Sequence, residues 1–516
     1  MNRIAHCRLE PAALYALILI ALSATLTGCN VGPKYTPPAT TAPPLYKESP
    51  PQFKESGDWA VAQPGDAMLR GKWWEIYNDP ELNALEDQLN IDNQNIKQAF
   101  QNYMEARALV REARSQYFPT VSIGAPYTRS QTSSNITSNS NTGTSTTTTT
   151  TAGKQSQLFA LDVNASWEPD LWDRVRNTVR AGQYTAQLTE ADLENEKLTE
   201  QASLAEYFFE IRGQDALQKI LDDTVEADKK ALESVQAAYD TGVGDQISVS
   251  EAQTTLKNAQ SAAINLGIAR AQYEHAIATL IGKPASAFFI LVVPGTSAPP
   301  AIPIGVPSQL LERRPDIAAA ERDMAAANAQ IGVATAAFYP TLTLSATAGV
   351  ESSTIQKLLE WPSRFWSAGP TISETVYDGG LRRATVNQYI ATYNGDLAAY
   401  RQTVLTAFQQ VEDSLATVRI LSQQIQREQQ AVGSSETSLQ LEIGRYQTGI
   451  DPYIDVTSSQ TALLSNQQTL TSLKVQQMTA SVQLIMSLGG GWDRSQLPTP
   501  AQVTQKPTRA ETTIQH

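Results

Sequence analysis

A chain of 516 residues with a formal charge of −13 is long enough for several domains. Its Lys and Arg are scattered, so nucleic acid is not expected as a partner. Two cysteines and three histidines, none in metal-ligand spacing, leave no expectation of a transition-metal centre or a disulfide framework, and no GxSxG, Walker-type glycine loop or HExxH motif is present.

The N-terminus carries Arg3 and Arg8, then an apolar run from Ala12 to Leu22, then Leu26-Thr27-Gly28-Cys29. A basic region, a short apolar region and a small-residue cleavage site make a secretory signal, too short to span a membrane. Leu26-Thr27-Gly28-Cys29 resembles the bacterial lipobox, which implies a cut before Cys29, hence a signal peptide over 1–28, and a diacylglycerol on the thiol. Cys7 is lost with it, and the mature chain keeps one cysteine at its own first position, suited to a covalent lipid. Residues 29–77 read as a lipidated, extended segment.

Residues 78–282 and 308–492 read as two copies of one unit, joined by a Pro-rich linker over 283–307. The strongest internal match is Tyr239 to Leu256, YDTGVGDQISVSEAQTTL, against Tyr446 to Leu463, YQTGIDPYIDVTSSQTAL, with eight identities in eighteen positions at an offset of 207. Tyr117-Phe118-Pro119-Thr120 answers Phe338-Tyr339-Pro340-Thr341 at an offset of 221, and Asp173 answers Asp378 at 205. These offsets predict a sixteen-residue insertion in the first copy. The Ser/Thr/Asn tract over 130–156 is that insertion, expected to be a long exposed loop because it cannot bury enough apolar surface to fold.

Each copy has strand-like alternation at two places: about 119–130 and 157–168, then 340–350 and 366–376. Aromatic residues near the ends, among them Trp167, Trp172, Trp361 and Trp366, fit transmembrane barrel strands with aromatic girdles. Four strands cannot close a barrel, and lipid tolerates no open sheet edge, so several chains must share one.

Long helices follow the strands, predicted as hairpins over 174–282 and 381–488. From Val404 through Phe408, Val411, Leu415 and Val418 to Ile443 and Tyr446 the apolar spacing alternates three and four, a coiled-coil-like seam. Arg174 to Tyr239 contains no proline, and at 1.5 Å per residue this rod is roughly 100 Å long. Gly242 and Gly449 in the Tyr-x-Thr-Gly motifs suit a left-handed helix stop, as does Gly489-Gly490-Gly491. His275 reads as a surface or packing residue, and residues 493–516, polar and Pro/Thr-rich, as a disordered tail.

With these motifs in order the chain resembles the TolC-like outer membrane efflux proteins, in their lipoprotein, NodT-type branch. The resemblance rests on Cys29-Asn30-Val31-Gly32-Pro33-Lys34-Tyr35, on Val306 to Ile317 with Ala320-Glu321, on the Phe-Tyr-Pro-Thr segment, and on Gly369 to Ser373 leading to Tyr377-Asp378-Gly379-Gly380-Leu381. It implies a mixed, predominantly α fold: a homotrimer with an α-helical coiled-coil tunnel and a transmembrane β-barrel to which each chain gives four strands. The implied function is the exit duct of a tripartite efflux pump, passive and not an enzyme. The implied partners are a periplasmic adaptor, an inner membrane transporter of RND type and outer membrane lipid. No cofactor is implied beyond the lipid on Cys29, and Asn30 after the cysteine favours the outer membrane.

The resemblance places a periplasmic gate at Tyr446, Asp451 and Asp455, and an adaptor-facing helix tip at Tyr239, Gly242, Asp245 and Gly449. Three copies of Asp451 and Asp455 would set six carboxylates around one axis, able to filter and bind cations. Asp451-Pro452 equally suits the start of a returning helix. Relatives carry a basic residue in place of Asp451 and an acid in place of Ser458, which argues against an arginine–aspartate latch. A porin-like lipoprotein channel and a coiled-coil envelope tether are the alternative readings. A circular dichroism spectrum dominated by helix excludes the porin.

Overall fold

Two helices of 67 residues and two of 35 dominate the chain. The structure, a computed structural model, describes residues 30–38, 42–43, 45–48, 71–133, 137–142, 145–150, 155–295, 297–302 and 307–507. The expected signal peptide and Cys29 lie outside the described residues. In chain order the first half forms α1 (Pro80–Asp92), α2 (Gln94–Ser115), β1 (Thr120–Gly124), β2 (Tyr127–Gln131), β3 (Thr137–Thr142), β4 (Ser145–Thr150), β5 (Gln155–Trp167), α3 (Arg174–Asp240) and α4 (Gln246–Leu280). The second forms α5 (Leu310–Arg313), α6 (Pro315–Ala336), β6 (Thr341–Ser352), β7 (Arg364–Ser373), α7 (Leu381–Gln447), α8 (Tyr453–Ser487) and α9 (Pro500–Thr504). Helices α2 and α6 have 22 residues each, so the three longest helices of the two halves match in length and order.

Both long helices start at a left-handed residue, Asp173 at φ +59 and Gly380 at φ +94. The structural counterpart of Asp173 is therefore Gly380, not Asp378. Asp378 instead accepts the amide of Gly380 and binds Arg382, while in the first half Asp170 accepts the amide of Arg176. The offset thus falls from 221 at β1 and β6 to 207 at the helix starts, and the insertion is 14 residues rather than sixteen.

The sheet runs β1-β5-β6-β7, all antiparallel, with β2 also on β5. The expected strand over 119–130 is interrupted at Ala125-Pro126, yet Gly124 opposite Asp162 and Tyr127 opposite Phe159 keep one register. Pro126 has no N–H to give the ladder but offers its carbonyl to the amide of Ala160 at 3.0 Å. The last strand begins at Arg364 and ends at Ser373, where its partner starts at Thr341 after Pro340, rather than at 366–376. The polar tract is not wholly a loop either. Its backbone pairs as the antiparallel β3–β4 hairpin.

Where the sheet meets the helices, Trp172 stacks on Tyr339 at 4.9 Å and donates to the carbonyl of Pro340, and Trp167 donates to that of Tyr117. The main core lies where α1, α3, α4 and α8 converge, around Trp73, Leu82, Leu204, Phe208, Ile277 and Ile485. The predicted disordered tail is ordered through residue 507. Thr499 and Gln502 form a capping box, and Val503 is fully buried against Ala106, Val110 and Ala186. Gly489, Gly490 and Gly491 all have positive φ after α8, the helix stop expected of them. His275 is exposed on α4.

Gly213 on α3 lies directly against Val475 of α8, with no room for a Cβ. Gly213→Ala is expected to destabilise by about 1–3 kcal/mol through overpacking, and adding Val475→Ala should recover part of that loss. Thermal unfolding of the two single variants and the double variant checks the coupling.

Candidate functional site

The far end of each hairpin, remote from the sheet, closes by one device. Gly242 and Gly449 take φ +78 and +71, and their amides donate to Tyr239 and Tyr446. The next amides, Val243 and Ile450, reach back to Ala238 and Arg445, completing a Schellman turn in each copy. The two tips pack on each other through Val235, Val249, Ala252, Tyr453 and Val456. Tyr446 meets Tyr453 edge-on at 5.3 Å. Burial raises the Tyr446 hydroxyl, with Asp245 adding to it, and pushes that of Tyr453 up to about 12.

Beyond the turns the copies diverge. Asp245 caps α4, accepting the amide of Ser248 at 2.8 Å, and this bond holds its carboxyl below the usual range. The equivalent position in the second copy is Pro452, the N-cap residue of α8, which has no side-chain oxygen to offer. Asp451 does not cap either. It forms a two-pronged pair with Arg445 across the turn, Nη2 to Oδ1 at 3.0 Å and Nε to Oδ2. This guanidinium holds the Asp451 carboxyl low. Asp455 is exposed in the first turn of α8, where the helix dipole favours an acid. Glu442, Asp451 and Asp455 bring carboxylate oxygens within 4.8 Å of one another.

Sequence reasoning missed Arg445 and Glu442, although Arg445 lies six residues before Asp451. The signal was the glycine stop between them: a chain reversing at Gly449 returns Asp451 to the last turn of α7.

At the opposite end the ladder register sorts the sheet into two chemistries. One face shows Val121 and Ile123 of β1, Tyr127 of β2, Phe159, Leu161, Val163, Ala165 and Trp167 of β5, Leu342 to Val350 in steps of two, and Trp366 to Ile372 likewise. The other shows Thr120, Ser122, Asp162, Asn164, Ser166, Thr343, Ser345, Thr347 and Thr371. An apolar face backed by a hydroxyl and amide face is the composition of a strand with lipid on one side and water on the other. No helix among the described residues is long and apolar enough to cross a membrane.

Residues 85–283 and 306–490 match the family described as "Outer membrane efflux protein". The chain belongs to that family. It is 28% identical over 491 residues to the probable efflux pump outer membrane protein TtgC of Pseudomonas putida, covering 92% of this chain and 96% of the relative. Its fold matches the solved outer-membrane channel OprN with a TM-score of 0.78 at 27% identity, over 90% of this chain and all of that one. It also matches the Campylobacter jejuni CmeC outer membrane channel at 0.79 over 94% and 99%; at 20% identity that likeness speaks for the fold alone. The protein is an outer membrane efflux channel component, and its family is one of channels rather than enzymes.

For this efflux protein the two acids at the tips should behave differently. Asp245→Ala removes a cap and should raise amide exchange over 246–249. Asp451→Ala should leave the start of α8 unchanged, because its amides do not depend on that side chain. The Arg445–Asp451 pair also has a definite pH window. A carboxyl lowered on folding contributes above its unfolded value of about 4 and is lost only as pH falls through the lowered one. Protection factors at the α7–α8 turn should therefore agree at about pH 8 and pH 5.

Proposed function

We propose that three copies of this chain form the exit duct of a tripartite efflux pump, with twelve strands in one outer membrane barrel and the long helices in a periplasmic tunnel. The observation that carries this is the two-faced sheet with unpaired edges at β7 and at β1–β2, joined to helices roughly 100 Å long. Passage is passive, driven by a transporter of RND type reached through a periplasmic adaptor. A lipid on Cys29 adds an anchor, and Asn30 fits retention in the outer membrane.

In this reading the tips face inward and hold the gate at Tyr446, Asp451 and Asp455. The Arg445–Asp451 pair stiffens each turn within its own chain, and the exposed Asp455 supplies the acidic ring. The adaptor-facing surface contains Tyr239, Gly242, Asp245 and Gly449. Around them Val243 is 87% exposed, Ile247 70% and Ile450 64%, apolar surface that a helical partner would cover.

Single-channel recording in planar bilayers tests the duct. The wild type should conduct weakly and the Asp451→Ala/Asp455→Ala variant several-fold more; silence from both defeats the reading. Cys29→Ser should abolish incorporation of labelled palmitate while leaving conductance unchanged.

A further inference from the structure

The strands that build the two-faced sheet contain four charged residues, and the register separates them by sign. Asp162 and Glu351 lie on the hydroxyl and amide face, whereas Arg129 and Arg364 lie on the apolar face. Arg364 is opposite Val350, which in turn is opposite Leu161, at the end of the apolar band farthest from the helices. A guanidinium on a lipid-facing wall is tolerated only near the interface, where an anion can meet it.

Its surroundings are built rather than loose. The connection before β7 folds into two short turns, and Ser363 donates its hydroxyl to the carbonyl of Lys357 at 2.7 Å. This places the Trp361 ring against Arg364, with the guanidinium carbon 3.8 Å from the ring centroid. Trp361 remains 75% exposed and Trp366, two residues along the same face, 80%. No carboxylate among the described residues forms an ion pair with Arg364. The guanidinium is thus oriented by stacking while its N–H groups stay available, and apolar surface continues beneath it.

We infer that the outer rim of this wall, at Arg364 and Trp361, binds the phosphorylated head group of an anionic glycolipid of the outer leaflet. The planar guanidinium can hold phosphate with two hydrogen bonds, Trp361 lies at head-group depth, and Trp366, Val350 and Leu161 meet the acyl chains. Continuity with the apolar band selects a lipid over a free anion. When the barrel closes, β7 of one copy neighbours β1–β2 of the next, so Arg129 borders the same seam. The inference rests on the proposed orientation, with the helices inward and this rim outward.

Native mass spectrometry of the purified full-length oligomer with vesicles containing diphosphoryl lipid A tests it. Retained lipid A should fall about tenfold in Arg364→Gln and less in Trp361→Ala, with Arg364→Lys intermediate. Lipid A stripped of phosphate should bind poorly to the wild type. Undiminished retention by an intact Arg364→Gln oligomer overturns the site, as does equal retention of the stripped lipid or displacement by inorganic phosphate alone. Conductance of the same variants should match the wild type. Conduction with Arg364-independent lipid retention sinks only this inference, whereas silent but lipid-retaining protein sinks only the duct.

Discussion

Backbone hydrogen bonding at the sheet edges constrains everything else in this protein. Among the described residues, β7 and the β1–β2 line each have a partner on one side only. In water such edges can be solvated; in hydrocarbon each unmade bond costs several kcal/mol. An apolar face suited to lipid, with edges that lipid would not tolerate in a lone chain, is the constraint that the proposed shared barrel answers. On the long helices Ile264 and Leu441 are 79% and 64% exposed, apolar surface of the kind a neighbouring copy in that proposal would cover.

The two halves carry hairpins of equal helix lengths whose tips differ. The glycine stops are the same because only a left-handed residue ends the helix there. Three residues later the copies separate: Asp245 occupies the cap of α4 and Pro452 that of α8. The cap position of α8 offers no side-chain oxygen, and the neighbouring acid, Asp451, meets Arg445 instead. The second tip thereby gains a cross-turn ion pair. Exposed, that pair contributes little to stability; its effect is on the shape of the turn.

Long-range periodicity made the rods, the helix stops and the inward and outward alternation of the strands readable from sequence, because each repeats over many residues and depends on local stereochemistry. Failures came where one distant contact decides. The tail looked disordered by composition, yet Val503 fits a pocket formed by Ala106, Val110 and Ala186, residues nearly 400 positions away in places. The alignment of Asp173 with Asp378 followed residue type, whereas the backbone pairs Asp173 with Gly380 through their shared left-handed φ. Arg445 went unnoticed because its partner lies across a turn rather than one helical turn along.

The described N-terminal segment is fastened along the helices of the second half. Tyr35 donates to Glu321 at 2.6 Å, and Glu321 also binds Arg322 and Arg494. Asn328 donates to the carbonyl of Pro33, and Gly32 lies against Gly332 with no room for a Cβ. Residue numbers fall along the segment as they rise along α6, so the segment nears the sheet at its N-terminal end. Gly332 is four residues before the end of α6, about 6 Å by helical rise. Glu412 secures the segment further on, accepting the amides of Lys47 and Glu48, while Arg419 binds Glu48.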